Sequence, residues 1–168
     1  MSTYTRQIVV SHGIHGPVTR RDNGGVIYPG WTVTSEGQTF PDIITPTAAA
    51  NSVLGIAGCN ANHDVDTIYA DNDEFPVFLC GSGAIVYGYH KGTAGGGSIV
   101  DGEILVAYGA GSAGQVISLA KAWNVLTGDV TNTIMATTIT RSLAIVGRAA
   151  ETHASAANTV PIKILLSV

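Results

Sequence analysis

The sequence predicts a mainly β protein with at most one or two short helices, and three observations carry that expectation. Thr, Val and Ile supply 18, 17 and 16 of the 168 residues, and branched side chains of this kind fit a pleated surface better than a helix. Only 12% of the residues are charged, too few Glu and Lys to cover solvent-facing helix surfaces. Short apolar runs also alternate along the chain with Gly, Pro and Asn turn chemistry.

Taken in order, residues 1–47 read as an N-terminal arm and hairpin region. Ile8-Val9-Val10, Val26-Ile27-Tyr28 and Trp31-Thr32-Val33 are its apolar runs, separated by Asp22-Asn23-Gly24-Gly25 and Pro29-Gly30. Thr45-Pro46 can cap a helix over Thr47–Ala50, which the β-branched and Gly residues beyond it limit to two turns. Residues 48–168 form the β-rich domain. Its expected strands are Phe75–Leu79, Ala84–Tyr89, Glu103–Tyr108, Gln115–Ala120, Thr133–Ile139, Leu143–Val146 and Val160–Leu166. A short helix competes only over Ser118–Leu126, where Leu119, Trp123 and Leu126 fall near helical spacing.

The two halves share a weak repeat. Val53-Leu-Gly-Ile-Ala57 matches Ile145-Val-Gly-Arg-Ala149 in type, and a proline-bearing strand follows each glycine, with Pro76 and Pro161 standing 21 and 14 residues after it. A glycine inside a strand pattern marks a bend or the close approach of another backbone, and a proline suits a strand entry or edge. Two related β units closing over one core are the expected result.

Charge and cysteines narrow the function. The net charge of −4 and the absence of any basic run longer than Arg20-Arg21 disfavour a phosphate backbone as partner, because neutralising phosphates needs clustered cations. Cys59 and Cys80 belong to no CxxC pair and have small or apolar neighbours, so free buried thiols are expected. The amino terminus lacks an apolar core with a cleavage site, which points to synthesis in the cytoplasm. Ile43–Asn62 is uncharged over 20 residues but is interrupted by Pro, Asn and Gly, so no membrane segment is expected.

Candidate chemistry is sparse. Gly109-Ala-Gly-Ser-Ala-Gly114 fits the dinucleotide pattern GxGxxG, with Asp129 20 residues after its first glycine. That pattern works inside a βαβ unit, and the remaining 39 residues offer no second crossover helix; the loop reads equally as a hairpin turn. Gly95-Gly-Gly-Ser98 lacks the lysine of a phosphate-cradling loop. His63-Asp-Val-Asp66 with Asp71, Asp73 and Glu74 gathers imidazole and carboxylates but follows neither zinc nor calcium spacing, so a solvated acidic loop is the favoured reading. His12 and His15 read as loop residues, and no serine sits in a nucleophile elbow. Tyr87, Tyr89, Trp31 and Trp123 could make a stacking platform, although Tyr87 and Tyr89 share one strand face, where aromatics more often fill a core or subunit interface.

Ser52-Val-Leu-Gly-Ile-Ala57, Phe75-Pro-Val-Phe-Leu79, Gly102-Glu-Ile-Leu-Val106 to Gly114-Gln-Val116, Ile145-Val-Gly-Arg-Ala-Ala-Glu151 and Val160-Pro-Ile-Lys-Ile-Leu-Leu166 occur in a characteristic order. Over residues 48–168 the chain resembles the head decoration, or cement, proteins of tailed bacteriophages. The loop before the last strand, Ala154-Ser-Ala-Ala-Asn158, departs from the glycine pair expected there, and residues 1–47 match no part of the pattern.

The resemblance implies a β-barrel or β-sandwich, β-tulip-like, with an extended N-terminal arm. It implies a homotrimer on the outer capsid surface of the virion, with the major capsid protein as partner and no catalytic, metal or cofactor-binding residue. Within the arm, Tyr4, Arg6, Ile8, Val9 and Val10 are the expected capsid-binding residues, adding a strand to a capsid edge; an ordinary edge strand of the same chain is the competing reading. Two other functions stay open: a small NAD-binding oxidoreductase using Gly109–Gly114, and a tail or host-attachment virion protein whose aromatics contact sugar.

Overall fold

Alternating burial along short β-branched segments gives the described chain its eleven strands. The computed structural model describes residues 9–11, 16–24, 26–35, 41–44, 53–90, 98–108, 114–120, 145–154 and 160–167. The strands are β1 (Val9–Ser11), β2 (Val18–Asp22), β3 (Thr32–Ser35), β4 (Asp42–Ile44), β5 (Gly55–Ala57), β6 (Glu74–Leu79), β7 (Ile85–His90), β8 (Ile104–Tyr108), β9 (Gln115–Ser118), β10 (Ile145–Ala149) and β11 (Val160–Leu165). The protein is mainly β, as expected from its composition. The helix expected at Thr47–Ala50 and the strand at Thr133–Ile139 lie outside the described residues. So does most of Ser118–Leu126, of which Leu119 and Ala120 are helical.

The strands close into two circuits of the same design. The first is a closed barrel in the order β2-β4-β3-β5-β6, and the second runs β7-β11-β10-β8-β9 and returns to β7. Replacing β2, β3, β4, β5 and β6 by β7, β8, β9, β10 and β11 converts one into the other. β2–β4 and β7–β9 are parallel, and every other neighbouring pair in both circuits is antiparallel. The register agrees residue by residue. Val77 faces Val18 and Ala57, as Ile164 faces Val86 and Ala149. Isolated bridges Ile27–Tyr69 and Ile99–His153 occupy matching places. The turns Pro29-Gly30 and Asp101-Gly102 each put a glycine at positive φ, +86° and +83°, whose N–H donates to Ala57 and Ala149 respectively.

The sequence repeat is therefore a structural one, with two corrections. The glycines match: a β-carbon at Gly55 would lie 2.1 Å from the Phe78 carbonyl oxygen, and one at Gly147 would lie 2.2 Å from that of Leu165. The prolines do not. With Val77 matched to Ile164, Pro76 stands where Lys163 does and Pro161 where Glu74 does. The second correction concerns the core: each barrel has its own, and a small third cluster gathers Val106 and Ile117 on β8 and β9. Ile27, Val33, Ile43, Ala57, Tyr69, Phe75 and Val77 fill the first barrel. The larger cluster fills the second with residues such as Val86, Leu105, Val116, Ile162 and Ile164.

The first barrel draws β2, β3 and β4 from before residue 48 and β5 and β6 from after it, while β1 pairs with β7 of the second sheet. β2 carries two arginines and escapes an apolar pattern; it is tied to β4 by Arg21, whose Nε donates to Asp42 Oδ1 at 2.7 Å. Ile56 and Phe78 face outward from the first barrel and join the core of the second.

That joint is built on backbone as well. In the first barrel Arg21 N–H donates to the Pro41 carbonyl, closing β2 onto β4. At the matching place in the second, the Gly30–Thr32 turn of the first barrel is inserted instead. Tyr89 N–H donates to the Gly30 carbonyl at 3.3 Å, and Thr32 N–H donates to the Gly114 carbonyl at 2.8 Å. The Trp31 ring covers Gly114, and Gly88 leaves space for Ile56.

Candidate functional site

Among the described residues, the features able to meet a partner are the outer edge of β1 and the exposed apolar residues beside two bridges. β1 is the outermost strand of its sheet and pairs with β7 through Val9–Val86 and Ser11–Ile85. Val9 and Val10 thus form an edge strand of their own chain, while Tyr4, Arg6 and Ile8 lie outside the described residues. No described strand pairs with the outer side of β1, and an edge of this kind is the arrangement that accepts a further strand.

The exposed apolar residues arise from strand alternation at the matching bridges. Ile27, Tyr69 and Ile99 are fully buried, so their chain neighbours turn outward. Those neighbours include Val26, Ile68 and Val100, exposed at 54%, 43% and 53%. They are the large exposed hydrophobics among the described residues, and all three flank the two equivalent bridges. They do not coincide in the matched registers: Val26 precedes the bridged Ile27 and Val100 follows the bridged Ile99.

The acidic loop is held by its own polar groups. Asn60 Oδ1 accepts from the N–H groups of Asn62 and His63 at 2.9 Å and lies 3.0 Å from His63 Nδ1. His63 Nε2 stands 3.3 Å from Asp73 Oδ2, which also accepts from Ala70 N–H. Asp64 accepts from Asp66 N–H and the Thr67 hydroxyl. The His63 ring lies on Tyr69, which stacks on Phe75 at 4.1 Å. The Asp64 and Asp73 carboxylates thus serve turns, and among the described residues no three potential ligands converge.

Burial governs the titrating groups at this end. It raises the Tyr69 phenol well above its ordinary range; its hydroxyl donates to the Gly58 carbonyl at 2.6 Å. Burial pushes the Cys80 thiol up to about 12. Burial first, then the nearby Asp66 and Cys59, raises Tyr89. Cys59 and Cys80 form no disulfide with each other, and both are half-buried.

The other sequence candidates separate. Tyr108 pairs with Gln115 in the antiparallel β8–β9 ladder, so Gly109–Gly114 joins two adjacent antiparallel strands and leads into β9. That is the hairpin reading; the βαβ setting of a dinucleotide loop is not the context found. Trp31 meets Tyr28, with ring centroids 4.9 Å apart, at the barrel joint. Tyr87 packs half-buried against the second core. Trp123, His12 and His15 lie outside the described residues. Among the described residues no helix is long and apolar enough to cross a membrane. Sequence reasoning missed the exposed apolar residues because Val26 and Ile68 look like core residues until the bridge partners are known. Comparison with known proteins finds no matching family and no matching curated relative.

Proposed function

We propose that this chain is a phage capsid decoration protein: a structural module that binds the outer surface of the major capsid lattice as a homotrimer and stabilises the head. The observation that carries the reading is exposed apolar surface beside both isolated bridges, Val26 and Ile68 next to Ile27–Tyr69 and Val100 next to Ile99–His153. Exposed apolar surface rimmed by polar groups marks contact with other proteins. A chain with 12% charged residues also has little else with which to keep a large free surface wetted. The open side of β1 offers main-chain pairing with a neighbouring subunit. Many copies on one shell turn modest contacts into large avidity.

The test uses heads that lack the chain. Added protein should bind them at a fixed ratio to the major capsid subunit and raise their resistance to heat. Val26→Asp/Val100→Asp protein that folds normally should bind at least about tenfold more weakly, since desolvating a charge without a partner opposes docking. Heads that take up no protein would refute the reading.

A further inference from the structure

The contact between the barrels is heterologous: the Gly30–Thr32 turn and Ile56 of the first meet Gly88, Tyr89 and Gly114 of the second. Because both barrels follow one design, each also carries the half that this joint leaves unused. On the second barrel that half is Gly102–Ile104 with Arg148, because Ile104 pairs with Arg148 as Thr32 pairs with Ile56. On the first barrel it is Arg20, Arg21 and Pro41, the counterparts of Gly88, Tyr89 and Gly114 in the matched registers. Joining the unused halves of two copies would repeat the joint and run on as a ring or an open chain.

We infer that Arg20 and Arg148 are blocking residues that keep this barrel joint from being repeated between copies of the chain. The space at Gly88 is full: a β-carbon there would lie 2.5 Å from Ile164 Cδ1 and 3.1 Å from Ile56 Cδ1. Its counterpart in the first barrel is the long side chain of Arg20. Where the joint has Ile56, the second barrel has exposed Arg148. A repeated joint would therefore set a guanidinium against a guanidinium in place of Ile56 against Gly88, and like charges face to face reject a partner.

The backbone groups are committed too. Arg148 Nη1 donates to the Gly102 carbonyl at 3.0 Å, whereas its counterpart, the Gly30 carbonyl, accepts from Tyr89 N–H across the joint. Arg21 N–H donates to the Pro41 carbonyl at 3.3 Å, a single long bond that a repeated joint would exchange for the two that the inserted turn makes. Glu103, in the place of Trp31, turns its carboxylate back to Val100 N–H.

Sedimentation velocity over a concentration series, comparing the natural chain with Arg20→Gly/Arg148→Ile, tests the inference. The double variant should self-associate at least about tenfold more tightly, because a like-charge clash is removed and the apolar pair of the joint restored. A double variant with unchanged circular dichroism and the same sedimentation profile as the natural chain overturns it. So does a variant that loses an oligomer the natural chain forms, since the arginines would then be contacts rather than blocks. Should the double variant fail to fold, Arg148→Ile alone is read in the same way, at a position whose side chain is exposed. Head binding is a separate measurement, so its failure would leave this result standing.

Discussion

Gly55 and Gly147 hold the same position in two separate strand pairs, each pressed against a carbonyl of the opposite strand, Phe78 and Leu165. The β-carbon distances of 2.1 and 2.2 Å are set by backbone, which cannot swing aside as a flexible side chain can. Alanine at either position should therefore destabilise the protein by about 1–3 kcal/mol or more. Urea unfolding of Gly55→Ala and Gly147→Ala checks this, with Gly16→Ala as the control, since its β-carbon would meet nothing within 4 Å and it too has no positive φ.

Gly114 combines both constraints, with φ at +82° and a hypothetical β-carbon 2.3 Å from Trp31 Cε3. Gly83 has positive φ alone, since its β-carbon would meet nothing within 4 Å. Gly114→Ala should cost more than Gly83→Ala, by about 1–3 kcal/mol, and should alter Trp31 fluorescence. Trp31→Ala should partly rescue it, because removing the ring relieves the clash and leaves only the backbone strain.

Tyr69→Phe removes the donor to the Gly58 carbonyl while keeping the stack on Phe75. A carbonyl left without this partner should cost about 1–3 kcal/mol. The measurement is the urea midpoint, with Phe75→Leu as a control that loosens the stack but retains the hydroxyl.

Cys80 gives a pH dependence of known sign. Its thiol rises from 9.0 to about 12 on folding, so between those values the unfolded chain releases a proton that the folded chain retains. Stability is whole below pH 9 and falls as pH climbs toward 12. Tyr69, raised from 10.0, adds to the fall at the upper end. Cys80→Ala should flatten the decline in denaturation midpoint above pH 9. In the natural chain a thiol reagent at neutral pH should modify Cys80 far more slowly than in the urea-unfolded chain.

The fold was legible in the sequence where a local pattern matched its environment. Alternating runs located β6, β7, β8, β9 and β11 to within a residue or two, and the Gly-Ile-Ala and Gly-Arg-Ala segments revealed the repeat. β2 was hidden because Val18-Thr-Arg-Arg-Asp22 owes its strand state to partners on both sides, Arg21 with Asp42 among them, rather than to apolar alternation. The proline match misled because a strand tolerates proline near its start at more than one register. Pro76 is third in β6 and Pro161 second in β11, and they come out two residues apart once Val77 and Ile164 are aligned. The exposed apolar surface was illegible because exposure at Val26, Ile68 and Val100 depends on bridges between residues 42 and 54 positions apart in the chain.

Electron microscopy of intact virions, labelled with antibody raised against the purified chain, tests the central reading most directly. The account predicts label over the outer surface of heads, with density at local three-fold positions of the capsid lattice. Label confined to tails, or virions that carry none of the chain, would contradict it.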